Sequence, residues 1–139
     1  MYLILLSQEF YAQYAGCKEI LRKQNRPYVC LSVYVDGICF AIPFRHHISH
    51  GWAFITYDRC GLDYTKAVVL SDTRFIGQYG AVIEQTEFDK IKGRENVIAR
   101  GMAKYLRAYK NAVKYPKNPR YRNILTASAL QYFHQEIGL

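Results

Sequence analysis

Acidic residues are scarce in this chain: its 139 residues include 11 Asp and Glu against 19 Lys and Arg, a net charge of +8. That imbalance favours a polyanionic partner such as nucleic acid. Long apolar runs are also lacking, and the longest, near Leu3 to Leu6, is far too short to cross a bilayer. It has neither a basic flank nor a small-residue cleavage site, so no signal peptide is predicted and a cytoplasmic location is expected.

Paired cysteine motifs are missing as well. The four cysteines are Cys17, Cys30, Cys39 and Cys60, and no two of them have CxxC spacing. In a cytosolic chain we expect them to be reduced and partly buried rather than bridged. A zinc site built from histidines and a cysteine stays an alternative that the spacing supports only weakly. No cofactor is predicted.

The apolar pattern predicts one α+β domain covering residues 1–139. Half of the residues are apolar, enough for a single core at this length. Asp36-Gly37 predicts a two-residue hairpin turn that pairs Val35 with Ile38. This pairing places six apolar side chains on one face: Leu31, Val33, Val35, Ile38, Phe40 and Ile42. Further short strands follow with tight connections, so we predict a strongly bent, mostly antiparallel sheet flanked by helices.

The last third of the chain is predicted to be helical and basic. Eleven of the 19 Lys and Arg residues lie between Lys90 and Arg122, where Glu95 is the only acid. Apolar side chains recur at helical spacing on one side of residues 94–114 and cations recur on another. With 13 tyrosines in the chain, these cations suit a single-stranded nucleic acid. The predicted RNA contacts here are Arg100, Lys104, Arg107, Lys110, Lys114, Arg120 and Arg122; a merely solvated basic face is the alternative.

A short segment after the hairpin holds three of the four histidines, His46, His47 and His50, and the first of them follows Arg45 directly. Imidazole titrates near neutral pH and suits proton transfer, while a guanidinium suits a phosphate. RNA cleavage by its own 2′-hydroxyl needs a base, an acid and a cation for the phosphorane charge. These four residues are therefore the predicted catalytic set.

Roles within this set depend on where the strand ends. His46 is predicted to be the base or the acid, with His47 or His50 as its complement. If the strand continues through residue 47, His46 and His47 point to opposite faces and His50 becomes the partner. Arg26 and Tyr28 are predicted to line the same groove.

Four stretches together carry a resemblance to a known family: Asn25-Arg26-Pro27-Tyr28, Phe40 to His47, Gly61 to Val69, and Leu130 to His134. In this ordered set the chain resembles the toxins of type III toxin–antitoxin systems, the ToxN/AbiQ-like endoribonucleases, and most closely their TenpN branch. Better-known members place a Thr-Ser pair and a lysine where this chain has Arg45, His46 and the residues following. They also have a lysine where this chain has Tyr28.

The resemblance implies a compact bent sheet related to the Kid/MazF barrel. It also implies metal-independent cleavage of single-stranded cellular or phage RNA, leaving a 2′,3′-cyclic phosphate and a 5′-hydroxyl. The implied partner is an antitoxin RNA of tandem repeats, which the toxin cuts into pseudoknotted units that then inhibit it in a closed protein–RNA assembly. Two rival functions remain: an RNA-binding protein without catalysis, and a metal nuclease using His46, His47, His50 and Cys39.

Overall fold

The structure, a computed structural model, describes residues 1–22 and 27–139 and forms a single α+β domain. Within those residues seven strands make one antiparallel sheet in the order β4–β5–β3–β2–β1–β7, with β6 beside β3. The strands are β1 (Leu3–Leu6), β2 (Val29–Val35), β3 (Ile38–Arg45), β4 (Ala53–Tyr57), β5 (Cys60–Asp63), β6 (Val68–Val69) and β7 (Ile76–Tyr79).

The β2–β3 hairpin has the register that the sequence predicts. Val35 pairs with Ile38, Val33 with Phe40 and Leu31 with Ile42. Asp36 and Gly37 both have positive φ, as a two-residue turn of this kind requires. Five of the six predicted core residues are buried and Ile38 is half-buried.

Strand β3 organises the sheet because it has different neighbours along its two edges. One edge pairs with β2 from Ile38 to Pro43, while the other pairs first with β6 and then, at Phe44 and Arg45, with β5. In the described residues β4 and β7 end the strand order and do not pair with each other, and β6 pairs only with β3, so the sheet is not closed. The implied barrel is therefore not seen.

Four helices accompany the sheet in the described part: α1 (Gln8–Gln13), α2 (Gln85–Ile91), α3 (Glu95–Lys114) and α4 (Arg122–Ala127). Ser7 caps α1 by accepting from the Phe10 N–H, as its position predicts. The apolar side of α3 is buried in the core, and Tyr105 and Tyr109 are among its largest enclosed side chains. The described residues contain no helix whose length and hydropathy would let it cross a bilayer.

The helix α3 lies against the segment that follows β5. The Tyr64 hydroxyl donates to the Ile98 carbonyl at 2.9 Å, and a side chain at Gly101 would overlap the Tyr64 ring. Trp52 also packs edge-on against Tyr105, with ring centroids 5.5 Å apart. The core side of α3 therefore supports the two loops that carry the candidate site.

Candidate active site

Arg45 and Asp63 come together because of strand pairing. Arg45 is the last residue of β3 and lies opposite Gly61 of β5, and Asp63 follows two residues later on the same face. The Arg45 Nη1 donates to Asp63 Oδ2 at 2.7 Å. Asp63 is wholly buried, with 0% of its side chain exposed, whereas the Arg45 side chain is 29% exposed. The guanidinium thus keeps a face toward solvent while a buried carboxylate fixes its orientation.

The second oxygen of Asp63 organises two more groups. The Thr65 backbone N–H and hydroxyl both donate to Oδ1, at 2.9 and 2.6 Å. His50 Nε2 lies 3.2 Å from the same oxygen and 3.5 Å from the Thr65 hydroxyl. Asp63 also caps the 3-10 turn Tyr64–Lys66 through its contact with Thr65. One carboxylate therefore holds an arginine, a histidine and a threonine in a fixed arrangement.

The orientation of His50 is set from both sides of its ring. The Trp52 backbone N–H donates to Nδ1 at 3.0 Å, so Nδ1 accepts in this arrangement and Nε2 carries the hydrogen toward Asp63. The loop itself is fixed at Ile48, which is buried and donates its N–H to the Arg59 carbonyl. The imidazole must exchange one of its two contacts before it can pass a proton to a substrate.

Lys66 adds a second cation beside this cluster. Its Nζ donates to the Ala127 carbonyl at 2.7 Å, which ties the site to the end of α4. Burial lowers the pKa of Lys66 below that of a free lysine; the charge of Arg45 lowers it further, whereas Asp63 opposes the shift. A lysine with a depressed pKa can hold a phosphate when protonated and can act as a base when neutral.

We call Arg45, His50, Asp63, Thr65 and Lys66 the Asp63 cluster. It joins two residues that the sequence singled out, Arg45 and His50, to three that it did not. Asp63, Thr65 and Lys66 stand inside the stretch Gly61 to Val69 that carries the family resemblance, but no site role was predicted for them. Their local signal is Asp-x-Thr, a pattern in which the carboxylate caps the following turn.

His46 and His47 lie outside this cluster. The His46 Nδ1 is 3.0 Å from the Cys60 Sγ, and its side chain lines a separate cavity with Phe44 and Tyr28. His47 is exposed and has a positive φ of 58°. Of the three histidines in this segment, the structure therefore places only His50 beside Arg45. The strand ends at Arg45, yet the alternation of faces still separates Arg45 from His46.

The predicted RNA contacts fall in different places. Tyr28 lines the cavity that holds His46 and also a small cavity beside Lys66. Arg26 lies outside the described residues. The remaining predicted contacts lie on α3 or just after it: Arg100, Lys104, Arg107, Lys110, Lys114, Arg120 and Arg122. Lys110 is half-buried and the other six are exposed. Among residues 1–22 and 27–139, none of these cations forms an ion pair.

Metal binding receives no geometric support where the chain is described. No three His, Cys, Asp or Glu side chains of residues 1–22 and 27–139 are grouped so that they could hold a metal ion. Cys39, the cysteine of the rival metal site, is half-buried on the hairpin. In comparisons with family models, curated proteins and solved structures, none was found to match this chain.

Proposed function

We propose that this protein is a metal-independent endoribonuclease, the toxin of a type III toxin–antitoxin system of the ToxN/AbiQ-like family. The observation that carries the proposal is the Asp63 cluster, in which a buried carboxylate orients a guanidinium and an imidazole beside a lysine of lowered pKa. A cation for the phosphate and two proton-transfer groups next to each other are what cleavage by a 2′-hydroxyl requires, and Arg45, His50 and Lys66 can supply them. A relation to the Kid/MazF barrel and a strong bend of the sheet belong to the same proposal.

In this mechanism Arg45 holds the scissile phosphate through its exposed side, and Asp63 keeps the guanidinium in place. His50 and Lys66 serve as the acid and base pair. One of them removes the proton of the 2′-hydroxyl, whose oxygen attacks the adjacent phosphorus. The other protonates the departing 5′-oxygen. The products are a 2′,3′-cyclic phosphate and a 5′-hydroxyl, with no water consumed and no metal required.

The exposed cations of α3 form the second part of the proposal. Arg100, Lys104 and Arg107 lie on the side of the helix that faces away from the core. They are proposed to bind the tandem-repeat antitoxin RNA, since surface cations without an ion-pair partner displace the counterions that are condensed on the RNA phosphates. The toxin cuts that RNA into units that then occupy and inhibit it in a closed assembly.

The test is to incubate the purified protein with single-stranded RNA in EDTA and to identify the ends of the products. We expect cutting that leaves cyclic phosphates and that fails when the nucleotide 5′ of the cut carries a 2′-deoxy sugar. Arg45→Gln should lower the rate at least about a hundredfold, as for loss of a transition-state contact. Arg59→Gln removes the same charge from an exposed turn and should cut normally. Intact RNA under all conditions would instead favour the RNA-binding protein without catalysis.

The histidine roles are tested in the same assay. His50→Gln should abolish most cutting if His50 transfers a proton within the Asp63 cluster. His46→Gln and His47→Gln test the catalytic roles that the sequence predicts for these two histidines. A larger loss of cutting in either of them than in His50→Gln would mean that proton transfer takes place outside the Asp63 cluster. A short tandem-repeat array in the DNA immediately upstream of the coding sequence would independently support the antitoxin partner.

A further inference from the structure

A cavity of about 640 Å³ opens on the side of the sheet opposite the Asp63 cluster. It lies between β1, β2, the end of β3 and residues 81–87. Its walls are mostly apolar, with Leu5, Val29, Phe44 and Ile83 among the lining residues. Polar side chains line the cavity as well: Tyr28, His46, Gln78, Glu84 and Glu87. A cavity of this size that combines apolar walls with polar groups is typical of a small-molecule or nucleobase site.

Glu87 is the polar group at the inner wall of this cavity. Only 8% of it is exposed, and its Oε1 lies 3.1 Å from the Thr56 hydroxyl, whose single hydrogen can go to this oxygen or to the Cys60 carbonyl at 3.0 Å. No Lys, Arg or His of the described residues lies within 4.0 Å of its carboxylate. Each oxygen of a carboxylate can accept two hydrogen bonds, so Glu87 has the capacity to accept from N–H donors of a ligand. Glu84 also lines the cavity, so a phosphate would be repelled from it.

His46 supplies a second polar group, and Cys60 sets its orientation. The Cys60 Sγ lies 3.0 Å from His46 Nδ1. Burial raises the pKa of the Cys60 thiol, and the nearby Glu87 raises it further, so the sulfur keeps its hydrogen. If the thiol donates to Nδ1, His46 Nε2 is the N–H donor; if it donates to the Asp58 carbonyl at 3.5 Å, Nδ1 donates to the sulfur and Nε2 accepts. The cavity thus combines a carboxylate with an imidazole that can donate or accept a hydrogen bond according to its tautomer.

We infer that this cavity binds a guanine base of the RNA, with the Glu87 carboxylate accepting from N1–H and the 2-amino group. The choice of a base as ligand rests on the proposed function. Guanine is the base with two adjacent N–H donors on its pairing edge, which match the two oxygens of a carboxylate. Adenine and cytosine place an acceptor nitrogen beside their amino group, and that nitrogen would face a carboxylate oxygen. Phe44 and Tyr28 offer aromatic surfaces against which the base can stack.

The experiment is an NMR titration of the protein with guanosine, inosine and adenosine, which carry no phosphate for the Asp63 cluster. We expect guanosine to bind at least about tenfold more tightly than adenosine. Inosine, which lacks the 2-amino group, should fall between them. Glu87→Gln should remove the preference for guanosine. Asp89→Asn, on an exposed position of the same helix, makes the same charge change and should keep it.

A second variant keeps the inference testable if Glu87→Gln does not fold well. Val82 lines the cavity and is 86% exposed, so Val82→Trp can block the opening without disturbing the core. It should abolish nucleoside binding. Equal affinities for the three nucleosides, or unchanged binding in both variants, would overturn the inference. RNA cutting without guanosine binding refutes the cavity assignment alone, whereas guanosine binding without any RNA cutting refutes the proposed endoribonuclease.

Discussion

Asp63 is the residue through which the candidate site is assembled, because it accepts hydrogen bonds from Arg45 and Thr65 and faces His50. Asp63→Asn keeps the shape of the side chain but removes the charge that attracts both basic groups. We expect the free energy of unfolding to fall by about 1–3 kcal/mol, as for other buried hydrogen-bonded groups. RNA cutting should fall more steeply than stability, because the Arg45 guanidinium loses its orientation. Chemical denaturation and cleavage rates measure the two effects.

Asp72→Asn is the matched control for this substitution. Asp72 forms an exposed ion pair with Arg74, so losing its charge should cost well under 1 kcal/mol. An asparagine there can still accept the Arg74 N–H that Asp72 now accepts. Equal losses of stability in the two variants would mean that Asp63 has no special role in holding the site.

Lys66 makes stability depend on pH in a direction that can be predicted. Its folded-state pKa is lowered from 10.5, mainly by burial. Between the lowered pKa and 10.5 the unfolded chain therefore binds more protons than the folded chain. The free energy of unfolding contributed by this group therefore rises as pH increases through that window. Lys66→Met removes the titrating amine and should flatten this part of the curve. Urea denaturation at several alkaline pH values, with Lys18→Met as an exposed control, makes the comparison.

The sequence could predict Arg45 and His50 because both belong to a visible cluster of chemistry-bearing residues. It could not assign Asp63 or Lys66, since their proximity to Arg45 depends on the pairing of β5 with the end of β3. Nor could it separate His46 from His50. The loop holds His50 inward through the buried Ile48 and the Trp52 N–H, and these contacts have no periodic pattern.

Among the elements, β5 depends on a residue without a side chain. A Cβ at Gly61 would overlap the carbonyl oxygen of Phe54 on the neighbouring β4 and would lie 2.9 Å from the Ile55 Cα. Because both atoms belong to the backbone, the strands must move apart in Gly61→Ala. We expect a loss of about 2–3 kcal/mol in the free energy of unfolding, typical of overpacking. Thermal denaturation measures it.

Gly51→Ala provides the control within the same part of the chain. A Cβ at that position meets no atom within 4 Å, and its backbone is not in the left-handed region. Its free energy of unfolding should stay within about 0.5 kcal/mol of the original. If Gly61→Ala were equally mild, the close approach of β4 and β5 would not be needed for the fold, or for placing Asp63.

Elements with strong local signals were predictable, and short ones were not. The register of the Asp36-Gly37 hairpin and the range of α3 agree with the prediction, because turn chemistry and apolar spacing are local. The hairpin itself was predicted to end at Ile42, but β3 continues through Pro43 to Arg45. Strand β5 has little local signal, since it has only four residues and one of them is a glycine. The C-terminal helical segment is divided at Ser128, which ends α4 and caps a separate 3-10 turn.

At the scale of the whole molecule, two cationic surfaces lie on opposite sides of α3. The Asp63 cluster is next to the core side of the helix, which Tyr64 and Trp52 contact. The exposed cations at Arg100, Lys104 and Arg107 project from the other side. An RNA unit bound in the site of one molecule can therefore meet the helix of the next, which is a head-to-tail contact. Such contacts close into a ring when the rotation between neighbours allows it.

We therefore expect the protein mixed with an RNA of tandem repeats, as proposed for the antitoxin, to form particles containing several protein copies. Light scattering after size exclusion measures their mass, with protein alone as the reference. Arg100→Gln, Lys104→Gln and Arg107→Gln together should reduce the particles to single protein–RNA pairs, because bridging needs both surfaces. Lys18→Gln, Lys90→Gln and Lys92→Gln remove the same charge elsewhere on exposed positions and should leave the mass unchanged. If both triple variants assemble equally, net charge alone attracts the RNA, and α3 is only a solvated basic helix.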